Sequence, residues 1–276
     1  MESRLNNFHI GYAPYSEDFL SPGDRRRFVH YAKNRGINFE TANPESEYDI
    51  VYVTHNADIT LWSKYDKSKA VIVYELLDSY LALPTFSFTG LFRGVVKYLS
   101  GQYKYCVFNH KKSIELMCRR ADVVICSTKE QKNHIEQYCD NVYIILDVKS
   151  MYCNYKKVEK SQVISGELNI AWEGMPHNIK SFAVIREALS ILSKQYQINL
   201  HLITALKYKK YMNRYITKHT VNEVEKHIDI NNVNLYQWNE LTVSHIASTC
   251  DFAIIPINAK DPMDNGKPED KLLIFW

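Results

Sequence analysis

Lys267 and Lys271 stand four residues apart in the stretch Gly266-Lys267-Pro268-Glu269-Asp270-Lys271. That spacing puts two side chains on one face of a helix, one turn apart. Gly266 and Pro268 predict a helix start, since the missing proline N–H costs nothing in a first turn. Ahead of it, Phe252 to Ile255 is an apolar run too short for a helix and stopped by Pro256, which predicts a buried parallel strand. Ile257 to Asn265 is polar and turn-rich. A strand, a loop and a helix N-terminus bearing two ammonium groups would suit a diphosphate, because free N–H groups and the helix dipole both favour an anion there. A second reading stands beside it: Glu269 and Asp270 satisfy the dipole and the lysines form a solvated face.

Other residues able to do chemistry lie in the first half. Arg25, Arg26 and Arg27 crowd the start of a helix and, with Gly23, could hold an anionic partner; a solvated basic face is the competing reading. Glu75 and Asp78 fall at the end of an apolar strand, where Asp78 would face a crevice or cap the next helix. From Arg93 to Arg120 seven basic residues oppose the single Glu115, interleaved with Leu91, Phe92, Val95, Val96 and Leu99. A helix on an anionic membrane surface has that composition, and so, more commonly, does a core helix with a solvated basic face. The run from Lys207 to Tyr211 alternates Lys and Tyr, as nucleic-acid binders do. It reads better as a solvated helix face, and no nucleic-acid partner is expected. No His/Cys/Asp/Glu set has metal-ligand spacing, and no nucleophile elbow is present, so neither a metal nor a cofactor is expected.

The elements that must position these residues alternate between strand and helix. Strands are predicted at 8–12, 48–53, 70–74, 122–127, 142–146, 168–172, 198–203, 233–236 and 252–255, from Val, Ile and Tyr content. Ser21, Pro22 and Asp24 predict a capped helix that Gly36 ends, and Thr128 with Gln131 predicts a capping box. Asn178 predicts the cap of a helix carrying Phe182, Ile185, Ala188, Leu189 and Leu192. Buried strands alternating with helices imply doubly wound parallel sheets. Residues 148–166 are polar and aperiodic, which predicts a linker between domains at 1–150 and 165–276. Among 276 residues, 46% are hydrophobic and 24% charged, with a net charge of +3. Those values describe an ordinary globular protein and are too mild to imply nucleic acid. No apolar run reaches the ~18 residues of a membrane helix, and no signal peptide pattern opens the chain. The six cysteines include no CxxC pair, which predicts reduced thiols and a cytoplasmic location.

The stretch DFAIIPI…GKPEDKLLIFW (251–276) resembles the donor motif of GT-B-fold glycosyltransferases, above all the large retaining group, glycosyltransferase family 4. There a strand ending in Pro leads through a loop to a KPxNKLLE(Y/F) helix that holds the nucleotide-sugar diphosphate. The resemblance implies two Rossmann-like domains, α/β and facing a cleft, with acceptor in the first and donor in the second. It implies donor contacts from Lys267, Lys271, Glu269, Asp270, the Glu173-Gly174 turn, Lys180, Trp238 and Asn239. Acceptor contacts would come from Gly23, Arg25, Arg26, Arg27 and Asp78. It further implies metal-independent, retaining hexosyl transfer to a glycan or glycolipid in polysaccharide biosynthesis; peripheral contact with an anionic membrane is an expectation of the basic segment 93–120 alone. This chain departs from the motif at Ile274, where the family has a ribose-binding Glu, at Gly266, in place of a second Glu, and at Asp270, in place of Asn. The second domain is expected to be incomplete, because the motif helix has barely begun at Trp276. A non-catalytic nucleotide-sugar-binding remnant, or a subunit completed by a partner, is the alternative; a nucleotide-sugar epimerase is a distant third.

Overall fold

The computed structural model describes residues 4–66, 69–84, 88–148, 153–156, 166–210, 216–258, 260–267, 272 and 275. The chain divides into two compact units, Met1–Val148 with Lys260–Pro268, and Lys149–Ala259 with Glu269–Trp276. The segment Lys260–Pro268 thus groups with the first unit, where the linker-based division placed it in the second.

The first unit is a six-stranded parallel sheet. Its strands are β1 (Ile10–Ala13), β2 (Glu40–Thr41), β3 (Ile50–Thr54), β4 (Val71–Glu75), β5 (Val123–Cys126) and β6 (Val142–Ile144). Their order is β2-β1-β3-β4-β5-β6, so the winding reverses between β1 and β3. The helices are α1 (Pro22–Arg26), α2 (Phe28–Arg35), α3 (Ile59–Trp62), α4 (Phe88–Leu99), α5 (His110–Arg120) and α6 (Lys129–Ile135). Apolar residues on both faces make the strands buried, as a parallel sheet covered on two sides requires. One face packs Val51, Val53, Ile72, Tyr74 and Val124 against Ile114, Met117 and Ile135. The other packs Tyr12, Tyr52 and Ile125 against Val29 and Phe28, with the Phe28 ring 4.9 Å from Tyr12 and 4.6 Å from Tyr52.

The start of each of three strands repeats one device. Asp49, Asp122 and Asp251 each immediately precede an apolar strand. Each donates its backbone N–H to the carbonyl of a residue opposite, at 2.8–2.9 Å. Each carboxylate then accepts the N–H of that same residue: His9 at 2.7 Å, Ile72 at 2.8 Å and Asn169 at 2.7 Å. The closed ring substitutes a carboxylate for the next ladder carbonyl and pins the register.

The second unit holds β7 (Glu167–Glu173), β8 (Gln197–Thr204), β9 (Lys207–Lys210), β10 (Ile216–His219), β11 (Asn232–Gln237) and β12 (Phe252–Ala253). Four of them form a parallel sheet in the order β11-β8-β7-β12. Its helices are α7 (Arg186–Leu192), α8 (Thr220–His227) and α9 (Val243–Thr249). Trp172, Ile179, Phe182, Leu200, Leu202 and Val224 form its core.

Several expectations are corrected. The strand of the 252–255 run is Phe252–Ala253 alone, and it lies on the edge of the described sheet with Phe252 43% exposed. Gly266 closes a helix, Pro262–Asn265, instead of opening one; Asp261 caps that helix by accepting the Met263 N–H at 2.9 Å. The Lys207 run is not helical. β9 pairs antiparallel with β10, and Tyr208 turns onto α8, its hydroxyl donating to Glu223 at 2.7 Å. Asn178 caps nothing, because Pro176–Val184 is a 3-10 helix whose N-cap is Met175. The Thr128–Gln131 capping box is present and Gly36 ends α2 in the left-handed region, but Ser21 makes no side-chain cap.

Asp24 is fully buried, and its partners are tertiary. Its carboxylate accepts from the Tyr12 hydroxyl (2.6 Å), the Tyr15 and Ser16 N–H groups (3.0 and 3.1 Å) and the Ser16 hydroxyl (3.1 Å). Asp24→Ala is expected to cost about 3 kcal/mol or more, since it strands buried donors, whereas Ser21→Ala should stay within about 0.5 kcal/mol. Urea unfolding of both variants checks this; equal losses would restore the capping reading.

Candidate active site

The carboxyl ends of β1 and β3, where the winding reverses, are where an open parallel sheet leaves a crevice. In the first unit this edge is polar and densely bonded. Glu75, at the end of β4, is buried. One of its oxygens accepts from Arg27 Nε at 2.5 Å and the Tyr52 hydroxyl at 2.6 Å; the other accepts from the Tyr15 hydroxyl at 2.6 Å. Arg27 further donates Nη1 to Asp147 at 2.7 Å and Nη2 to the Ile145 carbonyl at 2.9 Å. Burial opposes the guanidinium charge, but Glu75 and Asp147 outweigh it and keep Arg27 charged. Burial, and then Glu75, raise Tyr15 and Tyr52 well above the ordinary phenol range, so both remain donors.

The predicted acceptor residues gather at this edge with unequal roles. Arg27 is spent inside the protein. Arg26 reaches Asp147 at 3.8 Å, and Arg25 Nε donates to the Leu20 carbonyl at 3.1 Å, so the triplet is no uniform basic face. Gly23 lies under the Tyr15 ring, and a Cβ there would meet ring carbons at 2.5–2.9 Å. Its bare backbone is what lets Tyr15 reach Glu75. Asp78 caps no helix; its carboxylate faces His55 Nε2 at 3.6 Å and is 46% exposed on the side chain.

The basic segment 93–120 departs from the core helix with a solvated basic face that its composition favoured. It is two helices, α4 and α5, and five of its seven cations turn onto rings or carbonyls. Arg93 donates to the Tyr80 hydroxyl at 2.6 Å and Arg119 sits 5.0 Å over Tyr138. Lys111 donates to the Leu83 carbonyl at 2.7 Å and Arg120 to the Tyr65 carbonyl at 2.8 Å. Lys97 is buried, with Nζ 3.2 Å from the Tyr103 hydroxyl, which in turn lies 3.3 Å from His110 Nδ1. Burial and then Arg93 lower Lys97 to about 8; burial, then Lys97 and Arg93, lower His110 to about 3. Burial also lowers His55.

In the second unit the expected donor residues share the carboxyl edge of the sheet. Buried Glu173 ends β7, and the Gly174 N–H donates to the Ile203 carbonyl at 3.3 Å. The Trp238 N–H donates to the Thr204 carbonyl at 2.9 Å, and its indole packs by Ile203 and Val243. Asn239 turns the chain into α9, its side chain accepting from the Leu241 N–H at 2.8 Å. Lys180 is exposed in the 3-10 helix after β7. Lys267, in the segment that groups with the first unit, pairs with Asp264 at 2.5 Å. Gly266 packs on Ser79, and its carbonyl accepts from Gln131 Nε2 at 3.0 Å. Lys271, Glu269 and Asp270 lie outside the described residues. No group of His, Cys, Asp and Glu among the described residues could hold a metal ion.

Sequence reasoning missed Tyr15, Tyr52, His55, Tyr80, Lys97, Tyr103 and His110. The available signal was the count of 20 tyrosines, whose hydroxyls link these groups.

No protein-family model matches the chain, and no curated protein matches it in sequence. Solved structures do match. TarM is 12% identical with a TM-score of 0.46, over 74% of this chain and 35% of that one. An alpha-glucosyltransferase in complex with UDP and a 13-mer DNA is 13% identical with a TM-score of 0.49, over 89% and 71%. A glycosyltransferase from Rickettsia africae is 14% identical with a TM-score of 0.44, over 82% and 61%. The chain therefore spans about a third of TarM's length.

His110 binds its proton less readily folded than unfolded, so the unfolded chain takes up more protons between pH 6.5 and 3, and stability falls as pH falls through that window. Between pH 6.5 and 5 the expected loss is roughly 1.5 kcal/mol from this residue. Urea unfolding at the two pH values should show His110→Asn losing that much less than wild type; an identical loss would contradict the burial of a neutral imidazole.

Proposed function

We propose that the protein transfers a sugar from a nucleotide-sugar donor to an acceptor, with the 251–276 motif and the sheet edge of the second unit assigned to the donor and the sheet edge of the first unit to the acceptor. The observation that carries this reading is a donor-like motif at 251–276 in a chain built of two doubly wound parallel sheets, each with a polar carboxyl edge. The proposed arrangement is GT-B. Lys267 and Lys271 neutralise the departing diphosphate, so that no metal is called upon. The Glu173-Gly174 turn and Lys180 lie toward the phosphates, Trp238 and Asn239 toward the base. Gly23, Arg25, Arg26 and Asp78 border the acceptor, with Arg27 supporting them from beneath. The transfer proposed is retaining, of a hexosyl group, to a glycan or glycolipid. Ile274, in place of a ribose-binding Glu, favours a second reading, a nucleotide-sugar-binding module without turnover.

Calorimetric titration of uridine and guanosine diphosphate tests the donor site. Lys267→Ala with Lys271→Ala should weaken binding at least tenfold, since each charge-assisted phosphate contact contributes about 1.5–3 kcal/mol. Stability should change by only about 0.5 kcal/mol, because the Lys267–Asp264 pair is at the surface. Unchanged affinity would mean that the lysines are a solvated face.

A further inference from the structure

We propose that the first unit binds a phosphoryl group at the cluster of His55, Arg93 and Lys97 on the α4–α5 face of its sheet. The inference rests on the sugar-transferase reading only for what carries that group, an acceptor substrate bearing a phosphate.

The cluster is assembled from separate elements that share one face. His55 follows β3 and Tyr74 lies in β4, while Tyr80 starts a 3-10 turn. Arg93 and Lys97 belong to α4, Tyr103 to the connection after it, and His110 to α5. Their rings pack as a set: Tyr80 to His110 at 5.5 Å, Tyr80 to His55 at 6.3 Å and Tyr103 to His110 at 6.0 Å. Arg93 lies 4.5 Å over the Tyr80 ring and Lys97 4.6 Å over the Tyr103 ring. Arg93 is exposed at the surface and Asp78 partly so, while Lys97 and His110 are buried.

Two imbalances point to an oxyanion. The first is charge. Two cations, Arg93 and Lys97, flanked by the imidazoles of His55 and His110, meet one partly exposed carboxylate, Asp78, because Asp58 is engaged by Thr60 and by the Lys104 N–H, and Glu75 serves Arg27. Burial, and after it the neighbouring cations, lower the basicity of Lys97 and His110; burial lowers His55 as well. The second is hydrogen bonding. Ammonium and guanidinium only donate, and the tyrosine hydroxyls retain their protons. Tyr74 Oη and His55 Nδ1 are buried without a hydrogen-bond partner among the described residues, Tyr74 standing opposite Val53, two residues before His55, in the β3–β4 pairing. A phosphoryl group supplies what is short: negative charge and several acceptor oxygens spread in three dimensions. A planar carboxylate offers fewer.

The test is a titration of the full chain with sodium phosphate, glycerol 1-phosphate and glycerol, each against sodium chloride at equal ionic strength. Amide and imidazole NMR shifts and melting temperature are followed. Phosphate and glycerol 1-phosphate should shift the His55 and His110 signals and raise the melting temperature, with glycerol and chloride inert. Lys97→Met and the surface variant Arg93→Gln should each weaken phosphate binding at least tenfold, and binding between pH 8 and 9 should take up a proton as Lys97 regains its charge. No phosphate effect on wild type, or one that survives both substitutions, overturns the proposal. So does displacement of phosphate by uridine diphosphate at one-to-one competition, which would assign the anion to the nucleotide site. Phosphate binding with no nucleotide binding would leave the proposal standing and remove the donor reading.

Discussion

The buried ion pair between Arg27 and Glu75 is the constraint on which the first unit depends. Isolated, either charge would be costly to bury. Together they are saturated: Glu75 also accepts from Tyr15 and Tyr52, and Arg27 also reaches Asp147 and the Ile145 carbonyl. The ion pair thereby ties the loop after β1, β3, the end of β4 and the segment after β6. The backbone makes room for it. Arg27 has φ −127° and ψ −117°, outside the helical region, which separates α1 from α2.

The same sheet edge has a second character on its opposite face. There His55, Lys97 and His110 meet tyrosines, with Asp78 as the nearby carboxylate. One face is charge-balanced and closed; the other is rich in donors and short of acceptors. A rigid floor beside an under-neutralised wall is the arrangement expected of a site, because binding strength comes from groups that the fold alone leaves incompletely satisfied.

Local signals survived into the structure where no tertiary partner claimed the capping atoms, as at Gln131, whose Oε1 caps while its Nε2 reaches Gly266. Thr128 and Gln131 form their capping box, and Gly36 ends its helix, because each needs only neighbours in sequence. Ser21 and Asp24 offered the same signal, but Tyr12, Tyr15 and Ser16 claim the Asp24 carboxylate. The apolar run at 252 carried the right element and the wrong burial, since a hydrophobic tetrapeptide does not say whether a neighbouring strand follows. Lys207–Lys210 read as helix because lysines favour one, yet it pairs antiparallel with β10, a strand too polar to announce itself, and Tyr208 is held by Glu223 of α8. The basic segment could be counted from sequence but not oriented. Whether Lys97 faces solvent or Tyr103 depends on where the helix is broken, near Leu99.

A double-mutant cycle on Arg27→Met and Glu75→Gln, read by urea unfolding, tests most directly that this pair organises the sheet edge. Arg27→Met leaves the buried Glu75 carboxylate without a countercharge and Glu75→Gln leaves Arg27 with Asp147 alone; the first should cost about 3–5 kcal/mol, the second somewhat less, and the double variant less than the sum by at least about 2 kcal/mol. Single losses below about 1 kcal/mol that simply add would contradict the account.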